Sequence, residues 1–144
     1  MLDVFTPVTY YDFLKQNINT NLKPGIGRFE SILGKLGLGG EVPDRIRRIM
    51  FELSEKRNVL IHCNGKADSR IIKRCLWLNL SVGDEVRISR KDFGRYIQSA
   101  HWYLLELIVR LNRPTISDDP QDIDSLQKHE ELRDFILSSL ESGS

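Results

Sequence analysis

Two stretches repeat apolar residues at the helical period over lengths that strands do not reach. They are "EVPDRIRRIMFELSEKRNVLIHCNG" at 41–65 and "RKDFGRYIQSAHWYLLELIVRLN" at 90–112. In the first, Pro43 suits a helix start, and Ile46, Met50, Leu53, Leu60 and Ile61 recur on an expected inward stripe. Asn64–Gly65 is a natural stop, because both residues tolerate the left-handed conformation that ends helices. In the second, Phe93, Ile97, Trp102, Leu104, Leu105, Leu107, Ile108, Val109 and Leu111 extend beyond one face. Such a helix is buried on several sides or shared with a partner.

Shorter patterns complete an all-α expectation. "FTPVTYYDFLKQNI" reads as a first helix, "NTNLKPGIG" as a breaker-rich loop, and "RFESILGKLGL" as a helix stopped by "GLGGE". "DSRIIKRCLWL" fits a short helix capped by Asp68 or Ser69. "LNLSVGDEVRIS" breaks the rhythm, and its Gly83–Asp84 turn predicts a small β-hairpin near 78–88. After "RPTISDDP", "QDIDSLQKHEELRDFILSSL" forms a last helix with an acidic exterior. Residues 142–144 read as a disordered end.

The 144 residues, 40% hydrophobic and 28% charged, suit one globular domain, whole or excised from a longer protein. No apolar run approaches the roughly 18 residues a membrane span needs, and no basic-then-apolar leader opens the chain, so no membrane association is expected. Cys63 and Cys75 make no disulfide framework, which places the expectation in a reducing cytoplasm, where the sequon at Asn79–Ser81 has no meaning.

The net charge of +1 conceals a division. Residues 45–95 hold 13 basic against 6 acidic residues, net +7, and residues 116–144 hold 2 against 8, net −6. A basic middle suggests an anionic partner, or else a solvated surface balanced by the acidic tail.

Familiar cofactor and catalytic motifs fail. "GIGRFE" lacks the last glycine of a dinucleotide loop, "GKLGLGG" lacks the GK[ST] ending of a phosphate loop, and no Gly-x-Ser-x-Gly elbow occurs. His62, His101 and His129 lie far apart without metal-ligand spacing, so no metal or other cofactor is expected.

What remains is "KRNVLIHCNG", with Arg57, Asn58 and His62. A histidine exchanges protons near neutral pH, and an arginine presents a planar fork that matches phosphate oxygens. Together they are a minimal kit for cleaving RNA without metal, with Asn58 hydrogen-bonding the arginine, the phosphate or a helix end. Five helical steps put Arg57 and His62 about 140° apart. Either the helix loosens near Asn64–Gly65, or Arg57 reaches around, or a second subunit completes the site. The bland alternative is a cation near a helix C-terminus.

"RNVLIHCNGKADSRI" resembles the RNxxxH signature of the HEPN superfamily, with Arg57, Asn58 and His62 on its three positions. Asn64–Gly65 and Asp68 resemble the HNxGxxD continuation of the RiboL-PSP-HEPN-like branch, and Cys63 departs from its usual Asn or Asp. The likeness covers roughly residues 44–112. It implies a HEPN-like helical bundle, a homodimer, and a metal-independent endoribonuclease leaving 2′,3′-cyclic phosphate ends. Such an enzyme is commonly a toxin with an antitoxin partner, or an antiphage defence effector. The alternative it implies is an inert dimerisation or interaction module in a defence or regulatory protein. A DNA-binding regulator is disfavoured, since no helix-turn-helix with a basic recognition helix is evident.

Beside the motif, Lys56, Lys66, Arg70, Lys73 and Arg74 are the expected RNA-phosphate contacts. Glu52 and Glu55 read as surface carboxylates rather than orienting groups, and His101 as a core or interface histidine. Tyr96, Trp102 and Tyr103, at helical spacing, read as core or interface rather than base-stacking residues.

Overall fold

A computed structural model describes residues 25–113 and 119–142. The helix expected over "FTPVTYYDFLKQNI" lies outside these, as do residues 143 and 144 of the expected disordered end. Residue 142 still belongs to the last helix. The chain divides into two compact units, Met1–Gly40 and Glu41–Ser144. In the first, α1 spans Gly27–Lys35. It closes where Gly37 adopts φ 74° and the Leu38 N–H returns to the Leu33 carbonyl at 2.8 Å.

The second unit holds α2 (Asp44–His62), α3 (Ser69–Arg74), a 3-10 turn (Leu76–Leu78), α4 (Arg90–Asn112) and α5 (Pro120–Ser142). The all-α expectation holds for the described residues. Among them no helix is long and apolar enough to cross a membrane.

Local chemistry sets these boundaries. Pro43 stands at the N-cap of α2, and Asn64 (φ 50°) and Gly65 (φ 73°) turn the chain after it. Asp68 caps α3 by accepting from the Arg70 and Ile71 N–H groups. Ser89 and Asp92 form a reciprocal capping box at the start of α4. Arg113 pairs with Glu130 and Arg133 with Glu106, which fixes α4 and α5 antiparallel.

The hairpin expected near 78–88 does not form among the described residues. Leu76–Leu78 is 3-10 helix and Asn79 is left-handed, so the first run cannot serve as its strand. The second run pairs instead with the loop after α2. Lys66 and Glu85 form an isolated antiparallel bridge, and the Val86 N–H donates to the Gly65 carbonyl at 2.8 Å. That pairing seals a small core of Val59, Ala67, Ile71, Cys75 and Val86.

The inward face of α2 also differs from expectation. Leu60 and Ile61 are exposed, and the buried positions are Ile46, Ile49, Glu52, Glu55, Lys56 and Val59. Half of that face is ionisable. It can be buried because neighbouring elements supply partners for each charge. Glu52, 1% exposed, accepts from Tyr96 Oη at 2.6 Å and Trp77 Nε1 at 2.8 Å, and pairs with Arg95 and Lys56. Lys56 also pairs with Asp92 at 3.2 Å. Glu55 pairs with Arg74 at 2.9 Å and Arg70 at 3.3 Å. The two glutamates read as surface carboxylates are therefore the ionic centre of the unit. Tyr96, Trp102 and Tyr103 are buried, and His101 is exposed, which removes the core half of its core-or-interface reading.

Candidate active site

The last two turns of α2, the loop beyond it and the first turn of α3 enclose a cleft of about 290 Å³. Its walls are Glu55, Asn58, Val59, His62, Cys63, Asp68 and Arg70. The four helical residues Glu55, Asn58, Val59 and His62 follow the i, i+3, i+4, i+7 spacing of a single helix face. The Asn64–Gly65 turn then reverses the chain and brings Asp68 and Arg70 opposite that face.

His62 is the last residue of α2 and is exposed. The Cys63 N–H still returns to the Val59 carbonyl at 2.9 Å. The helix therefore does not loosen before His62, and the angle of about 140° from Arg57 stands. Arg57 is exposed, donates to Asn58 Oδ1 at 3.3 Å and is not part of the cleft wall. Within one chain, Asn58 and His62 are brought together and Arg57 stands outside them.

The expected RNA contacts separate by environment. Lys56, 6% exposed, is held by Glu52 and Asp92 inside the fold and does not face solvent with the others. Lys66 and Lys73 are exposed. Arg70 lines the cleft and is tethered by buried Glu55, so its guanidinium is both placed and accessible. Arg74 shares that carboxylate and lies over the Phe51 ring, 5.2 Å from its centroid.

Two groups in the cleft carry shifted protonation. The Asp68 carboxyl lies below its ordinary value, chiefly because the Ile71 N–H donates to it. The Cys63 thiol is raised by burial and by Asp68, whose carboxylate accepts from Sγ at 3.7 Å. A raised thiol argues against Cys63 as a nucleophile. The cleft thus offers an exposed imidazole, an anchored guanidinium and an amide: proton exchange and anion binding side by side.

Glu55, Val59 and Cys63 line the cleft beyond the site residues expected from the motif. The i, i+3, i+7 spacing of Glu55, Asn58 and His62 was the available signal. Among the described residues no group of three or more His, Cys, Asp or Glu side chains converges to hold a metal ion. Compared with protein-family models, curated proteins and solved structures, the chain matches none.

Proposed function

We propose that the protein is a metal-independent endoribonuclease of HEPN type, active as a homodimer whose two His62 clefts meet. The helical bundle is, on this proposal, HEPN-like. The observation that carries it is the shared cleft of Asn58, His62 and Arg70.

Strand cleavage needs a base at the 2′-hydroxyl and an acid at the leaving 5′-oxygen. One His62 takes the 2′-proton while O2′ attacks phosphorus. The other, protonated, gives a proton to O5′ as the P–O5′ bond breaks. The products are a 2′,3′-cyclic phosphate and a 5′-hydroxyl. Arg57 of one protomer, reaching its partner's cleft, and Arg70 within the cleft balance charge on the phosphorane-like transition state. Asn58 fixes Arg57 through the hydrogen bond it already accepts. Lys66, Lys73 and Arg74 contact flanking phosphates. A toxin restrained by an antitoxin, or a cytoplasmic antiphage effector, is the corresponding biological setting.

The test is incubation with total RNA in EDTA beside the His62→Ala variant. Cleavage that survives EDTA and is lost in the variant supports the enzyme. A stable dimer that cleaves no RNA favours the second reading, an inert interaction module. The placement of Arg57 outside the cleft of its own chain favours that module.

A further inference from the structure

A second cleft of about 370 Å³ opens near the start of α2, lined by Asp44, Arg45, Arg48, Ile49, Trp77 and Arg95. Two of its arginines differ in what they are bound to. Arg95 is committed to Glu52 and Asp92. Arg48 is exposed and has no hydrogen bond or ion pair among the described residues. Its guanidinium instead lies over the Trp77 ring, 4.3 Å from the centroid. Trp77 is fixed at its edge by the Nε1 bond to Glu52.

This stack continues toward the His62 cleft. Trp77 meets Phe51 at 6.5 Å between centroids, and Phe51 lies beneath Arg74, which shares Glu55 with Arg70 of the His62 cleft. Cation, ring, ring and cation therefore form a ladder from one cleft to the other. Arg48 and His62 lie 14 residues apart on unbroken α2. At 1.5 Å and 100° per residue, that is roughly 21 Å of rise with the two positions about 40° apart in rotation. Both clefts open along one side of the same helix.

We propose that the Arg45–Arg48–Trp77 cleft is an anchoring subsite for single-stranded RNA, holding the strand about 21 Å from the bond cut at His62. One face of the Arg48 guanidinium lies against Trp77, and the residue is exposed. An unpaired base stacks on such a plane, and its phosphate meets the Arg48 charge. Asp44, on the rim, disfavours a compact, highly charged anion and leaves a stacked nucleotide as the better fit. The subsite rests on the ribonuclease function proposed above, and the two fail separately in the following experiment.

A fluorescein-labelled 12-nucleotide RNA is titrated into His62→Ala protein, so that the strand stays intact, and binding is read by anisotropy and tryptophan emission. Trp102 is buried, so quenching reports Trp77. Adding Arg48→Glu is expected to weaken binding at least tenfold, abolish the quenching and reduce the salt slope. Circular dichroism confirms that this exposed substitution leaves the fold intact. Affinity within twofold of the parent, or no RNA binding by the parent, overturns the subsite. So does tighter binding of the DNA oligomer of the same sequence. If RNA binds through Arg48 but wild-type protein never cleaves it, the ribonuclease function fails and the subsite stands.

Discussion

Tyr96 Oη donates to Glu52 Oε1 at 2.6 Å, joining α4 to α2 across 44 positions of chain. Burial alone would raise the Glu52 carboxyl. The bonds from Tyr96 and Trp77, with the charges of Arg95 and Lys56, outweigh it and hold the group below its ordinary value. Burial and the same bond push the Tyr96 hydroxyl upward, so it stays a donor.

Removing that carboxylate strands the Tyr96 and Trp77 donors and leaves Lys56 and Arg95 to share Asp92. Glu52→Ala is expected to destabilise the protein by about 3–5 kcal/mol, the usual cost of breaking a buried ionic cluster from one side. Glu52→Gln keeps an acceptor and should lose less. Urea midpoints at constant m-value measure both. A midpoint unchanged in Glu52→Ala would show that the cluster contributes nothing net.

Acid should unfold the protein through the same cluster. Asp92 is held at about 2, because the Ser89 N–H, Arg95 and Lys56 together outweigh the effect of burial. Depressed carboxyl values mean that the unfolded chain binds protons first. The stabilisation is complete above about pH 5 and is lost as pH falls through 4 toward 2, with about 2 kcal/mol carried by Asp92. Thermal melts from pH 7 to pH 2 test this, and Asp92→Asn should flatten the lower end of the curve.

The two thiols should react in sequence. Cys75, 1% exposed, is pushed up to about 11 by burial and by the charges of Glu55 and Glu52. Ellman's reagent at pH 8 is expected to label half-buried Cys63 first and Cys75 only on unfolding. Asp68→Asn keeps a capping side chain for α3 while removing the charge that raises Cys63, so Cys63 should label faster.

Function and stability should separate at the motif. Arg57 and His62 are exposed, so alanine at either is expected to change stability by about 0.5 kcal/mol or less. Each should nonetheless abolish EDTA-resistant cleavage. Mixing wild-type with His62→Ala protein tests sharing between protomers: cleavage is expected to fall as the square of the wild-type fraction, and a linear fall would show that one His62 suffices.

Gly65 has φ 73°, where a Cβ is strained even though the nearest atom, Leu60 Cδ2, would be 3.8 Å away. Gly65→Ala is expected to cost about 1 kcal/mol from backbone conformation alone. It should also slacken the turn that brings Asp68 and Arg70 opposite His62. Melting temperature and cleavage rate, compared in one variant, resolve the two effects.

The helices were legible because period, proline, capping residues and Asn64–Gly65 are local signals. Asp68 does in the structure what its side chain suggests in the sequence. What was illegible depended on partners far along the chain. Glu52, Glu55 and Lys56 have the composition of a solvated face, and Arg70, Arg74, Trp77, Asp92, Arg95 and Tyr96 make them interior. Likewise, the period-2 run at 84–88 found its partner at 65–67 instead of at the near side of its own turn. Arg57 and His62 could be named from spacing, but the cleft around His62 required α3 to fold back.

Because α2 runs without interruption from Asp44 to His62, every group on it is tied to one phase. Inserting a single residue in its middle would lengthen it by only about 1.5 Å but turn everything downstream by about 100°. An insertion just after Arg48 would rotate Glu52, Glu55 and Lys56 away from their partners together with His62. This helix can absorb changes of side chain one at a time, but a change in its residue count would dismantle core and cleft in a single step.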